Sequence, residues 1–131
     1  MKQVKVLLRS NSDKRAVLAT ELNTAENFVT RTKGLLGRDS LPTGEGLWIK
    51  QCNSIHTFFM RFPIDAVFVD KQLKVVAMHE GLKPWRVTRL YFKAASVFEL
   101  PAGTLSTIVD FKIGDQLKVE TPHQSEVSSR E

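Results

Sequence analysis

The sequence predicts an α+β fold, in which a mainly antiparallel, curved or partly barrel-like sheet packs against one principal helix. Six or seven segments have the residue pattern of β-strands. The links between neighbouring segments are short and polar, which favours antiparallel pairing. Only one long segment, residues 25 to 36, has a helical period, so a single helix is expected beside the sheet.

Length and composition fit one small globular domain. The chain has 131 residues, 42% hydrophobic and 25% charged, which is far from the composition of a disordered protein. We expect one domain over residues 1 to 120 and a disordered polar tail over residues 121 to 131. A single cysteine excludes an internal disulfide, and no apolar run is long enough for a membrane span, so we expect a cytoplasmic location.

The first third of the chain predicts a hairpin followed by the helix. Residues 4 to 8 and 17 to 22 have strand patterns and flank the polar segment SNSDKR. Apolar residues then recur on one helical stripe, with Thr24 as the expected N-cap and Gly37 as the expected left-handed C-cap.

The middle and the end of the chain are rich in strand patterns. HTFFM (56–60), IDAVFV (64–69) and KVVAM (74–78) read as strands, and both faces of IDAVFV are apolar, so we expect that strand to be central. SVFEL, a short helical turn after Gly103, and KIGDQLKVE complete the predicted fold.

The stretch RTKGLLGR predicts either a helix end or an anion site. On a continued helix, Arg31 and Arg38 lie on nearly the same side with Gly34 between them, and two arginine forks can bind a phosphate or carboxylate. Alternatively, the helix ends at Gly37 and each arginine caps carbonyl groups or pairs with an acid.

His56 and Asp65 form the main candidate pair for catalysis. On a strand, His56 shares an apolar face with Phe58 and Met60, and a bend at Pro63 can bring Asp65 near to orient the imidazole as a general base. The alternative is a hydrogen-bonded core histidine.

Cys52 and His56 do not amount to a metal site in the sequence. Their spacing suits a zinc site only on a helix, and no second close pair accompanies them, so no metal site and no cofactor are expected. The same pair as a nucleophile and base is equally disfavoured.

Two further acids lie in strand-like segments. Glu99 in SVFEL needs a partner if it is buried, and Arg31 is the candidate; if the pair lines a pocket instead, it becomes a site. Asp115 between apolar runs reads as a turn residue.

The segment from Leu82 to Lys93 is the candidate for nucleic-acid binding. Lys83, Arg86, Arg89 and Lys93 alternate with aromatic residues, and no acid occurs between Gly81 and Glu99. Such a pattern can follow a phosphate backbone and stack bases. Its alternative is a loop with core aromatics and solvated cations, favoured because no RNA-binding motif accompanies it.

Together these stretches resemble a prokaryotic family of uncharacterised small proteins, the domain of unknown function one hundred and ninety-two. The resemblance covers roughly residues 20 to 120 and implies an α+β fold with a barrel-like sheet, but no established activity, substrate or cofactor. The stretches are RTKGLLGR, LPTGEGLWI, HTFFMRFPIDAVFVD, KVVAM, KPW, AASVFELPAGT and KIGDQLKV. The matching positions are Arg31, Gly34, Leu35, Arg38, Met60, Ile64, Asp65, Phe68, Glu99, Pro101, Gly103, Gly114 and Asp115.

The functional expectation is an accessory or ligand-binding protein rather than an enzyme. The cluster expected to hold an anionic small molecule or a peptide end consists of Arg31, Arg38, His56, Asp65 and Glu99. Two alternatives stay open: a small hydrolase-like enzyme using His56 and Asp65, and weak nucleic-acid binding through residues 83 to 93.

Overall fold

The structure, a computed structural model, describes residues 5–11 and 15–121 and is dominated by one seven-stranded sheet. A helix of six residues, α1 (Phe28–Lys33), follows the second strand, and a 3-10 turn covers Leu105–Thr107. The strands are β1 (Lys5–Arg9), β2 (Ala16–Ala25), β3 (Glu45–Lys50), β4 (Ile64–Val69), β5 (Val75–Leu82), β6 (Ser96–Pro101) and β7 (Leu117–Glu120).

The sheet curls until its two edge strands meet. The strand order is β5-β4-β6-β3-β2-β1-β7, and every neighbouring pair is antiparallel except β2 and β3, which are parallel. Just before the two edge strands, Lys74 and Gln116 form an antiparallel bridge, and Leu117 N donates to Leu73 O at 2.9 Å. This contact satisfies backbone groups that an open edge would leave unpaired.

Two apolar clusters cover the two faces of the sheet. Inside the curl, residues from both ends of the strand order pack together, among them Leu7, Val75, Phe98 and Leu117. On the outer face, Ile49, Ala66 and Val97 of the sheet pack beneath residues of the connecting loops, such as Leu35 and Met60. Both clusters therefore need the central strands β4 and β6, each of which supplies one residue to one face and the next to the other.

The prediction of an α+β fold with one principal helix is wrong, because nearly all regular secondary structure of the described residues is strand and α1 has only six residues. The expected helix over residues 25 to 36 is shortened at both ends. β2 continues to Ala25, which pairs with Ile49 of β3, and the helix ends at Gly34 instead of Gly37. Strand pairing thus outweighs the local helical period.

HTFFM is not a strand either. Only His56 forms a bridge there, with Val87, and Phe59 has a φ of 65°, which interrupts an extended chain. By contrast, the prediction that IDAVFV is a central strand is confirmed: β4 lies between β5 and β6, and all six of its residues are buried.

The ends of the chain bear on two of the predictions. Val4, the expected start of the first strand, and the predicted tail beyond Thr121 lie outside the described residues. Within the described ranges, no helix is long and apolar enough to cross a bilayer.

Candidate functional site

A cleft of about 350 Å³ opens on the outer side of the sheet, beside α1 and the turn that follows it. Ile49 of β3 and Glu99 of β6 contribute to it from the sheet, and the loop after β3 lines it as far as Met60. We call it the Glu99 cleft. Its polar lining consists of Arg31, Lys33, Gln51, Cys52, Ser54, His56 and Glu99.

Glu99 is the buried carboxyl of this cleft. In the strand register it lies between Leu47 of β3 and Ala66 of β4, and it is only 3% exposed. Its Oε1 has no hydrogen-bond partner in the part of the chain that the structure describes. Burial raises the pKa of Glu99 to about 7, because an ionised carboxylate loses its hydration there. The oxygen is therefore available to a donor that enters the cleft.

Gly34 keeps the space beside Glu99 free. Asn27 caps the start of α1 by accepting a hydrogen bond from Thr30 N at 2.9 Å, and α1 ends where Gly34 N donates to Thr30 O at 3.0 Å. Gly34 has a φ of 49°, a conformation that side chains disfavour. A Cβ here would lie 3.8 Å from Glu99 Oε1, so any larger side chain would occupy the position of a ligand.

Arg31 does not pair with Glu99, although the sequence made it the candidate partner of that carboxyl. Its Nη1 donates instead to Gln51 Oε1 at 2.7 Å, at the end of β3. Gln51 has a φ of 52°, which is unusual for a residue other than glycine. The guanidinium is half-buried and has further donors that can bind an anion in the cleft.

Cys52 lines the same cleft but is poorly suited to nucleophilic attack. Its Sγ donates to Ser54 O at 3.0 Å. Burial raises the pKa of the Cys52 thiol, the charge of Glu99 raises it further, and only the Ser54 hydrogen bond and Arg31 act in the opposite direction. A thiol with a raised pKa is protonated at neutral pH, and the thiolate is the reactive form.

His56 lies at the rim of the cleft and is exposed, not enclosed in an apolar face. Its ring packs on Phe58 with a centroid distance of 5.1 Å. The cleft therefore brings together three of the five predicted site residues, namely Arg31, His56 and Glu99.

The other two predicted site residues lie elsewhere and are already bonded. Arg38 makes a two-pronged ion pair with Glu45, at 3.0 and 3.2 Å. Asp65 is fully buried and accepts hydrogen bonds from Gly81 N at 2.8 Å and Leu105 N at 2.9 Å. It pairs in register with Leu100 of the inner cluster, so it points away from the face that carries Glu99. A His56–Asp65 catalytic pair is not formed.

Nothing in the sequence pattern marks Gln51 as a site residue, and the pattern around Cys52 suggests only a disfavoured metal ligand or nucleophile. Both follow β3 directly, and β3 pairs with β6, so they emerge beside Glu99. The signal that could have found them is this strand order, which sequence spacing alone does not contain.

Asp115 combines the predicted turn role with an ion pair. It accepts a hydrogen bond from Lys112 N at 3.1 Å, three residues before it, and it also contacts Arg9 Nη1 at 3.3 Å. In the described ranges, no three His, Cys, Asp or Glu side chains lie close enough to hold a metal ion.

Fold and site together define a class of protein: a curled single-sheet domain with a small-molecule-sized cleft over one buried carboxyl. The family model of domain of unknown function 192, described as "Uncharacterized ACR", matches residues 8–119. The chain belongs to this family.

Two relatives from Pyrococcus support the assignment. The chain is 32% identical over 111 residues to a UPF0127 protein of Pyrococcus horikoshii, covering 82% of this chain and 95% of that one. A UPF0127 protein of Pyrococcus furiosus is 30% identical over 115 residues, with coverages of 82% and 94%.

Among solved structures, a protein of unknown function from Novosphingobium aromaticivorans has a TM-score of 0.74 at 20% identity, covering 88% of this chain and 84% of that chain. A putative transcription regulator from Sinorhizobium meliloti has a TM-score of 0.73 at 21% identity, with coverages of 91% and 96%. At these identities the two structures establish a shared fold.

Proposed function

We propose that the protein binds a small organic anion that also carries a hydrogen-bond donor. Glu99 Oε1 accepts from the donor, and Arg31 at the side of the cleft binds the anionic group. The observation that carries the proposal is the buried oxygen of Glu99, which faces a cleft and has no hydrogen-bond partner among the described residues. A buried acceptor without a partner costs about 1 to 3 kcal/mol, which a ligand donor would recover.

Binding, not catalysis, is what the side chains of the cleft favour. A raised pKa makes Cys52 a weak nucleophile. The ring of His56 packs on Phe58, and among the described residues no hydrogen bond joins it to a carboxylate that would orient it as a base. Hydrolysis through His56 and Asp65 loses its support because the two residues are on different faces of the structure.

The donor requirement can be tested with matched pairs of ligands. We would titrate the protein with acetate and glycine, with propionate and lactate, and with inorganic phosphate, following amide NMR shifts of Gly34, Cys52 and Glu99. The donor-bearing member of each pair should bind about tenfold more tightly, because a hydrogen bond to a charged group is worth roughly 1.5 to 3 kcal/mol. Equal affinity within every pair would reject the role of Glu99.

Two variants separate the partners. Arg31→Gln should weaken the binding of every anion tested. Glu99→Gln should remove the difference in affinity between the two ligands of a matched pair. Arg38→Gln is the matched control for Arg31→Gln, because Arg38 is committed to Glu45 outside the cleft. A ligand with an ammonium donor should also bind more tightly as pH rises through about 7, where Glu99 ionises.

A further inference from the structure

Two loops next to the Glu99 cleft pair with each other and form a ribbon that carries several exposed apolar side chains. Residues 53–62 and 83–93 are joined by backbone hydrogen bonds, including Thr57 N to Arg86 O at 2.8 Å and Tyr91 N to Asn53 O at 2.9 Å. The buried hydroxyl of Thr57 also donates to Lys83 O at 2.6 Å. The ribbon is thus held in place from its inner side.

The two loops of this ribbon expose large apolar groups. Phe59 is 70% exposed, Trp85 56%, Val87 66%, Leu90 52% and Phe92 87%. Single exposed apolar residues are ordinary, but a group of this size in two adjoining loops marks an interaction surface.

Backbone strain coincides with the exposed rings. Phe59 has a φ of 65° and Trp85 a φ of 64°, and their ring centroids are 4.7 Å apart. Bulky residues rarely adopt this conformation, which costs about 1 to 2 kcal/mol each. Backbone strain at exposed residues whose rings contact each other is typical of a functional surface.

Cations accompany the apolar groups along the second loop. Lys83, Arg86, Arg89 and Lys93 are all exposed, and no acid lies between Gly81 and Glu99. None of the four forms an ion pair within the described part of the chain. The charge of the ribbon is therefore complementary to a negatively charged surface.

We propose that this ribbon docks the protein onto an anionic lipid surface. Phe59 and Trp85 enter the interfacial layer, where aromatic side chains are favoured, and the four cations contact lipid phosphates. Each cation near an anionic membrane surface contributes about 1 kcal/mol.

Nucleic acid suits the ribbon less well. Val87 and Leu90 have no ring to stack on a base, although they are half or more exposed. Tyr91, between Arg89 and Lys93 in the sequence, packs on Phe68 with a centroid distance of 4.7 Å and is not presented to a base. Both aliphatic and aromatic side chains can insert into a bilayer.

The test is sedimentation of the full chain with vesicles of phosphatidylcholine alone or mixed with phosphatidylglycerol, at low and high salt. We expect binding to the anionic vesicles only, weakened by salt. Arg86→Glu with Arg89→Glu should weaken it at least tenfold, and Phe59→Ala with Trp85→Ala by a similar factor. Matched controls are Lys71→Glu with Lys74→Glu, and Val109→Ala with Ile113→Ala, which change exposed residues outside the ribbon.

A second readout reports insertion directly. The chain has two tryptophans, and in a Trp48→Phe background the fluorescence comes from Trp85 alone. It should shift to the blue on anionic vesicles and stay unchanged on neutral ones. Absence of vesicle binding, binding insensitive to the ribbon variants, or tighter binding to a single-stranded oligonucleotide through Trp85 would each overturn the proposal.

Discussion

Asp65 and Glu99 are two buried carboxyls on adjacent strands, and their surroundings are opposite. Asp65 of β4 faces the inner cluster and accepts two backbone hydrogen bonds, from Gly81 N and Leu105 N. Glu99 of β6 faces the outer side and has an oxygen with no partner among the described residues. The register places Ala66, not Asp65, opposite Glu99, so a step of one residue separates a structural acid from a candidate ligand-binding acid.

The largest effect on stability is expected from Asp65→Asn. The amide keeps one acceptor oxygen but turns an NH2 group toward a backbone N–H that needs an acceptor. We expect the free energy of unfolding to fall by about 2 to 4 kcal/mol, measured by urea denaturation. An unchanged midpoint would mean that the two backbone hydrogen bonds of Asp65 do not hold the turn at Leu105.

The same chemical change at Glu99 should have the opposite sign. Between pH 4.5 and about 7 the unfolded chain loses the Glu99 proton while the folded chain keeps it, so stability falls as pH rises through this window. Above the window the loss reaches roughly 3 kcal/mol at most, from 1.36 kcal/mol per unit of pKa. Glu99→Gln should remove this loss of stability. The variant should therefore be more stable than the wild type at alkaline pH and equally stable in acid.

Denaturation curves of the wild type and of Glu99→Gln across this pH range provide the check. The control is Asp65→Asn, whose loss of stability should not be reversed at alkaline pH. If Glu99→Gln lowers stability at every pH, then Glu99 is satisfied in the folded protein, and the proposed ligand-binding role loses its main support.

Gly34→Ala should affect both stability and binding, and Gly37→Ala only stability. Both glycines have positive φ, at 49° and 83°, so each substitution is expected to cost about 1 to 2 kcal/mol. A Cβ at Gly34 lies 3.8 Å from Glu99 Oε1, whereas at Gly37 it meets nothing within 4 Å. Ligand titrations of the two variants at equal fractions folded would show whether Gly34 is needed for access to Glu99, and equal affinities would contradict that role.

The sequence predicts the strands better than it predicts their arrangement. The central position of β4 follows from apolar residues on both of its faces, which is a local property. The helix fails because pairing of β2 with β3, a long-range contact, takes Ala25 into the sheet. Prediction of the site is limited by the same cause. The sequence shows Arg31, His56 and Glu99 as candidate residue types. Only the strand order β4-β6-β3 separates Glu99 from Asp65 and brings Glu99 close to Gln51.

The smallest expected effect distinguishes the two arginines of RTKGLLGR. Arg38→Gln breaks the ion pair between Arg38, whose side chain is 37% exposed, and Glu45, whose side chain is 18% exposed. An ion pair exposed to this extent contributes about 0.2 to 1 kcal/mol to the free energy of unfolding. Arg31→Gln breaks one hydrogen bond to Gln51 on the exposed side of the cleft and should change stability by about 0.5 kcal/mol or less. In denaturation experiments, Arg38→Gln should therefore be no more stable than Arg31→Gln. In anion titrations, only Arg31→Gln should lose affinity. The reverse pattern would make Arg31 the structural residue and move the anion site to Arg38, because only a residue with donors left over can bind a ligand without cost to the fold.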